Sequence, residues 1–273
     1  NPSKDSILMD DGNKFMFNPP IGSELPVDGF EDVDSSDFLT GTLNPSAEII
    51  IDKNSKRLQK LDPFKEWNKK DAKNLRVLLK AEGKCTTDHI SPAGPWLKYR
   101  GHLENISQNM YSGALNAYTQ STGEAINTDT KEKGDIYEVA KYYSSNSIDW
   151  LAVADENYGE GSSREHAAME PRFMGCKIVL AKSFARIAQT NLKKQGILPL
   201  IFQDKSDYEK IEAFDTISTI NLNEFGPKNN IDLSLNKPDG STYIIKTIHT
   251  FSENQISWFK AGSALNLIAD HLN

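Results

Sequence analysis

The chain has 273 residues, enough to bury a substantial core in one large domain or two small ones. Hydrophobic residues make up 38% and charged residues 25%, and no apolar run approaches membrane-spanning length, so a soluble chain with irregular loops is expected. A net charge of −7 argues against a general polyphosphate or membrane-surface binder. Two cysteines, Cys85 and Cys176, are too few for a disulfide scaffold, point to a reducing compartment, and cannot alone make a four-ligand metal or iron–sulfur site.

The first residues, Asn1-Pro2-Ser3-Lys4-Asp5, are not a signal peptide, and a start at Asn reads as a fragment of a longer protein. Residues 1–72 are rich in Pro, Gly, Asp, Ser and Asn, as in Asn18-Pro19-Pro20, Leu25-Pro26 and Asp34-Ser35-Ser36-Asp37. They are expected to form a mostly irregular linker wrapping a surface, with a short docked element where Leu58, Leu61, Phe64 and Trp67 recur at threes. From residue 73 the pattern tightens into one domain. Leu75–Ala81 reads as a buried strand, Ile136–Ser144 as a helix with Ile136, Val139, Ala140 and Tyr143 on one face, and Trp150–Ala154 as a strand. Helix Glu165–Met174, strand Ile178–Ala181, helix Ala185–Lys194 closed by Gly196, and strand Ile197–Phe202 follow. This alternation argues for an α/β fold with parallel pairing. Ile231–Leu235 and Tyr243–Ile248 flank the turn Lys237-Pro238-Asp239-Gly240, and an amphipathic helix near Asn254–His271 opens on a Ser252/Gln255 capping box. Layered sheets with helices outside are expected.

Chemistry concentrates in Gly159-Glu160-Gly161-Ser162-Ser163-Arg164-Glu165-His166, between strand Trp150–Ala154 and the next helix. A glycine-rich loop opening a helix presents free N–H groups to an anion. Two hydroxyls and the guanidinium fork of Arg164 make it a candidate carboxylate site. It departs from the dinucleotide fingerprint, where Arg164 replaces the last Gly, and from the nucleophile elbow and the P-loop. The structural alternative is a surface turn with a polar helix cap. A second run, Lys84-Cys85-Thr86-Thr87-Asp88-His89-Ile90-Ser91, begins where strand Leu75–Ala81 ends, and Arg100 follows it. Asp88 and Ser91 are candidates for orienting a hydroxyl or water, and Arg100 for clamping a second carboxylate. The alternative is a polar turn in which Thr87 and Asp88 satisfy nearby backbone groups. His102, His249 and His271 are scattered and are not expected to bind metal. Lys193-Lys194 reads as a solvated helix face, Asn105-Ile106-Ser107 as a chance sequon, and Arg186 as a structural residue beside the cleft.

Together these runs resemble the C-terminal swivelling domain of mitochondrial-type aconitases. The resemblance runs through Lys84–Ser91, Gly94-Pro95-Trp96-Leu97-Lys98, Arg100-Gly101-His102-Leu103 and Asp155–Ala168. It continues in Lys182-Ser183-Phe184-Ala185-Arg186, Asn191–Gly196 and Ala261-Gly262-Ser263-Ala264-Leu265-Asn266, and so covers essentially the whole chain. It implies a β/β/α swivelling domain over residues 73–273 that closes over a [4Fe–4S] cluster held by three cysteines of preceding domains. Neither Cys85 nor Cys176 matches a ligand position. The implied reaction is the isomerisation of citrate to isocitrate through cis-aconitate, a hydro-lyase step of the tricarboxylic acid cycle, with the cluster's open iron as Lewis acid. By the same resemblance Ser162 is the base, Ser163 and Arg164 bind substrate, Arg100 holds another carboxylate, and Asp88 and Ser91 support them. The implied partners are a tricarboxylate and the preceding domains, in a mitochondrial matrix or a bacterial cytoplasm, and the isolated chain is expected to be inactive.

Two alternatives stay open. The small subunit of 3-isopropylmalate dehydratase, or a homoaconitase, carries a similar loop and is completed by a partner subunit, but the long N-terminal segment and the Cys85–Ile90 and Gly94–Leu103 runs favour aconitase. An RNA-binding module is the alternative of another class, and the acidic balance without a basic, aromatic stripe counts against it.

Overall fold

Leu75-Arg76-Val77-Leu78-Leu79-Lys80 and Trp150-Leu151-Ala152-Val153-Ala154 carry apolar residues without strict alternation, the pattern of strands covered on both faces. The computed structural model of the chain describes residues 5–18, 22, 44 and 46–272, the last two by backbone alone, and bears this out. The chain divides into two compact units, Asn1–Ile49 and Ile50–Asn273. In the first, Ile7–Leu8 pairs antiparallel with Lys14–Phe15 across a turn in which Asp11 accepts from the Asn13 amide. The turn-rich runs at Pro19-Pro20, Leu25-Pro26 and Asp34–Asp37 lie outside the described residues.

The second unit is built on seven strands: β1 (Leu75–Lys80), β2 (Trp150–Ala154), β3 (Cys176–Ala181), β4 (Leu198–Phe202), β5 (Thr216–Ile220), β6 (Asp232–Asn236) and β7 (Thr242–Ile248). They close into a barrel in the order β4-β7-β6-β5-β1-β2-β3. β1, β2, β3 and β4 pair in parallel, as the strand–helix alternation requires, while β5, β6 and β7 return antiparallel. The layers expected from sequence are thus two arcs of one closed sheet. Leu151, Val153, Ile178 and Leu180 join Ile217, Leu233, Leu235 and Ile245 in one core. Their neighbours Trp150, Ala152, Ala154 and Val179 face the other way and form a second core with helix residues.

Six helices bear on the argument: α1 (Thr87–Ile90), α2 (Ile136–Ser145), α3 (His166–Phe173), α4 (Arg186–Lys194), α5 (Glu253–Ala261) and α6 (Ala264–Leu272). Ile136, Val139, Ala140 and Tyr143 of α2 and Ala167 and Ala168 of α3 supply the helix side of the second core. Most expected elements recur within a residue or two, but two expectations need correction and one strand leaves no signal in the sequence. The C-terminal amphipathic helix is two helices: Gly262 closes α5 in the left-handed conformation at φ +90°, where a Cβ would lie 2.6 Å from the Lys65 carbonyl oxygen. Its Ser252/Gln255 capping box is present as expected. Strand β5 was not anticipated, because Thr216-Ile217-Ser218-Thr219-Ile220 buries Ser218 and Thr219 beside its isoleucines and so shows little hydrophobic signal. The segment Leu58–Trp67 docks on the C-terminal helices: Trp67 packs on Phe259 with ring centroids 5.6 Å apart, and Phe64 O accepts from Asn266 at 2.7 Å. Lys193 is not solvated. It is 3% exposed, with Nζ donating to Thr250 O at 2.6 Å, Thr250 Oγ1 at 2.8 Å and Gln255 Oε1 at 3.0 Å.

Candidate functional site

Three segments leave the C-terminal ends of neighbouring parallel strands and meet. After β1 comes the elbow 82–91 with α1, after β2 the loop 155–165, and after β3 the turn 182–185 into α4. The middle loop is fastened on both sides by backbone hydrogen bonds. Gly159 N donates to Cys85 O at 2.7 Å and Thr87 N to Glu160 O at 2.9 Å on one side; Tyr158 N donates to Ser183 O at 3.0 Å and Ala185 N to Tyr158 O at 2.9 Å on the other. Beneath the loop, Tyr158 is buried with its hydroxyl 2.7 Å from that of Tyr111. Gly159 sits at φ +77° against α4, where a Cβ would come within 2.3 Å of Ala188 Cβ, so glycine is the residue this close approach allows.

Between the loop and α4 lies a cleft of about 390 Å3 lined by Ser162, Ser163, Arg164, Arg186, Thr87 and Asn191, among others. Ser162 and Ser163 are exposed, and among the described residues neither hydroxyl has a hydrogen-bond partner. Arg164 is set from behind. Its Nη1 donates to Asp88 Oδ1 at 2.7 Å and to Ser91 O at 2.9 Å, which leaves the other guanidinium nitrogens without a partner among the described residues. Asp88 and Ser91 therefore contact Arg164 without themselves lining the cleft. Arg100 differs. It is exposed, makes no ion pair among the described residues and does not line the cleft, although its carbonyl oxygen lies 3.0 Å from His166 Nε2 at the start of α3. Arg186, assigned a structural role from sequence, instead lines the cleft as the first residue of α4.

Two readings of the loop change. α3 begins at His166, so Gly161–Ser163 precede the helix rather than open it, and their N–H groups belong to the loop. The alternative in which Thr87 satisfies nearby backbone groups also fails for its side chain, whose hydroxyl is buried at the cleft with no hydrogen-bond partner among the described residues. Sequence reasoning also missed Glu170. This carboxyl is fully buried on α3, accepts from Ser91 Oγ at 2.7 Å, and is held well above the usual carboxylate range by its burial. A Glu within an Ala-Ala-Met-Glu-Pro helix gives no periodic sign of such a role.

The cysteines do not fit a cluster. Cys85 and Cys176 are buried in the second core, and burial pushes each thiol up to about 12, so neither offers a thiolate. Among the described residues no three His, Cys, Asp or Glu side chains converge as a metal site, and no helix is long and apolar enough to cross a membrane.

Comparison with known proteins places this geometry. The aconitase C-terminal domain family matches residues 75–205. The chain is 51% identical over 269 residues to a probable mitochondrial aconitate hydratase of Dictyostelium discoideum, covering 98% of this chain and 35% of that protein. It is 49% identical to the mitochondrial aconitate hydratase of Schizosaccharomyces pombe, over 99% of this chain and 34% of that protein. It is 50% identical to the mitochondrial homocitrate dehydratase of Saccharomyces cerevisiae, over 99% of this chain and 35% of that protein. The chain spans about a third of the length of these relatives. Among solved structures, a 3-isopropylmalate dehydratase of Methanocaldococcus jannaschii is 23% identical with a TM-score of 0.48, covering 74% of this chain and 96% of that one.

Proposed function

This chain belongs, through residues 75–205, to the aconitase C-terminal domain family, and on that premise we propose that it is the lid half of a hydro-lyase acting on a hydroxylated tricarboxylate. The substrate we assign is citrate, isomerised to isocitrate through cis-aconitate. The observation that carries the reading is the convergence of Ser162, Ser163, Arg164 and Arg186 on one cleft whose loop is pinned to both neighbouring segments.

A proton on carbon next to a carboxylate is weakly acidic, so its removal needs a strong base close by and a clamp on the carboxylate. Ser162 Oγ is the base. It is exposed and free of internal hydrogen bonds, so nothing must be broken before it faces the substrate. A serine alkoxide lies far from the resting hydroxyl and depends on cationic neighbours, which Arg164 and Arg186 supply. Arg164, set through Nη1, offers its remaining N–H groups to a carboxylate, and Ser163 adds a donor. Arg100 holds a further carboxylate when the lid is closed. Asp88 and Ser91 keep Arg164 in place.

The family uses a [4Fe–4S] cluster. The residues of this chain do not hold one, and we assign its ligands to domains outside the chain. The division into a linker over 1–72 and a swivel domain over 73–273 is part of the same proposal. So is location in the mitochondrial matrix, which rests on relatives named as mitochondrial. Equal identity to a homocitrate dehydratase favours a second reading, in which the substrate is one methylene longer.

The test is cis-aconitate formation by the full-length protein after anaerobic cluster reconstitution, comparing wild type with Ser162→Ala. Loss of several orders of magnitude in kcat, with KM for citrate retained, is the expected result. Unchanged kcat removes Ser162 from the chemistry. Activity on homocitrate alone moves the substrate to the longer acid, and activity on isopropylmalate alone moves the assignment to the sister family.

A further inference from the structure

Helix α3 carries a carboxyl where an apolar side chain would cost less. Glu170 is 0% exposed and forms no ion pair, and its one hydrogen-bond partner among the described residues is Ser91 Oγ, 2.7 Å from Oε1. Oε2 is buried with no partner among the described residues. A group kept at such a cost calls for a task that packing alone does not supply.

Its surroundings supply one. Ser91 is 3% exposed and closes α1, with its N–H donating to Thr87 O at 2.9 Å. Its side chain is held by Glu170, and its carbonyl oxygen accepts from Arg164 Nη1 at 2.9 Å. The other contact of Nη1 is with Asp88, whose side chain is 64% exposed, so water competes for that bond. The dry, fixed support of the guanidinium is therefore the Ser91 carbonyl. Glu170 stands one turn into the helix that follows Ser162, Ser163 and Arg164, so the Glu170–Ser91 bond also ties that helix to the elbow.

We propose that Glu170 is a positioning residue for Arg164: through Ser91 it fixes the carbonyl on which the guanidinium rests, and so sets how the free side of the fork meets a substrate carboxylate. The proposal rests on the assignment of Arg164 to substrate binding. Without the acceptor at Glu170, Ser91 is free to turn and Arg164 falls back on its exposed contact with Asp88.

The test compares Glu170→Leu, Glu170→Gln, Ser91→Ala and Arg164→Lys in the full-length protein with citrate as substrate. Glu170→Leu fills the site but removes the acceptor, and is expected to raise KM at least tenfold without lowering Tm. Glu170→Gln keeps an acceptor and is expected to bring KM back at least fivefold from the Leu value. A purely structural role would move Tm and leave KM in place, and a KM within threefold of wild type in Glu170→Leu, where Arg164→Lys raises it, overturns the proposal. If Glu170→Leu does not fold, Ser91→Ala makes the same cut from the other side and carries the same expectation. Should Arg164→Lys also leave KM unchanged, the binding role of Arg164 is what fails. The guanidinium N–H signals of Arg164 in the 15N-labelled 273-residue chain then decide the positioning itself. Their loss in Glu170→Leu upholds it, and their persistence overturns it.

Discussion

Gly159→Ala tests whether the catalytic loop is held by contact with α4. Gly159 lies at φ +77°, and an added Cβ would sit 2.3 Å from Ala188 Cβ. Ala188 has no rotamer through which to retreat, so either helix or loop must move. The left-handed backbone costs about 1–2 kcal/mol for a residue with a Cβ. Overpacking against a fixed neighbour adds about 1–3 kcal/mol. The sum, about 2–5 kcal/mol, exceeds what either effect would give alone. Gly83 supplies the control: it has φ +67° with nothing within 4 Å of its added Cβ, so Gly83→Ala should show the backbone cost alone. Urea unfolding of the chain, followed by far-UV circular dichroism, gives both values, and their difference is the steric part. Ala188→Gly on the Gly159→Ala background should recover most of that part, less about 1 kcal/mol for glycine within a helix. If Gly159→Ala is no worse than Gly83→Ala, or Ala188→Gly fails to rescue it, the loop is not seated on α4 as described.

Burial brings the Lys193 amine down to about 8, below the ordinary 10.5. Between those values the unfolded chain binds the extra proton, so the Lys193 contribution to stability rises with pH across that window; Lys193→Met should flatten the rise, and identical pH–stability slopes for the two proteins would refute it. Cys85 and Cys176, with thiols pushed up to about 12 by burial, should resist iodoacetamide at pH 8 in the folded chain and react only after unfolding, as mass spectrometry of the two peptides would show. Ser162→Ala, which leaves an exposed and internally unbonded position, should change Tm little while abolishing turnover, so a large fall in Tm would point to a structural serine instead.

The parallel half of the fold was legible because its strands are continuous apolar runs separated by helices of clear period, and because Ser252, Gln255 and Gly196 mark helix ends by chemistry that works locally. The antiparallel half was legible only where a turn announced it, at Lys237-Pro238-Asp239-Gly240 between β6 and β7. β5 escaped because its buried Thr219 is satisfied by partners far away in sequence: it accepts from Ala72 N at 2.9 Å and donates to Asp71 Oδ1 at 2.9 Å. Lys193 escaped for the same reason, since Thr250 and Gln255, which accept its hydrogen bonds, lie beyond the helix that carries it. Long-range satisfaction of polar groups leaves no local periodicity to read.

The site divides in the same way. Groups that line the cleft were visible, because Ser162, Ser163 and Arg164 stand in one short run beside the glycines that shape it. Groups that set those residues were not. The contacts of Arg164 with Asp88 and Ser91 span more than seventy residues, and that of Ser91 with Glu170 spans 79. These distances in sequence explain why the loop has little helix character at Gly161–Ser163 and still holds its shape. Two flanking segments hold the loop, and the guanidinium rests on Asp88 and on the carbonyl of Ser91 rather than at a helix terminus. An anion site made from a helix N-terminus would carry its donors wherever the helix goes. A site made from three strand ends holds them only while the barrel is closed, so the carboxylate clamp proposed for this chain depends on the fold of the whole domain.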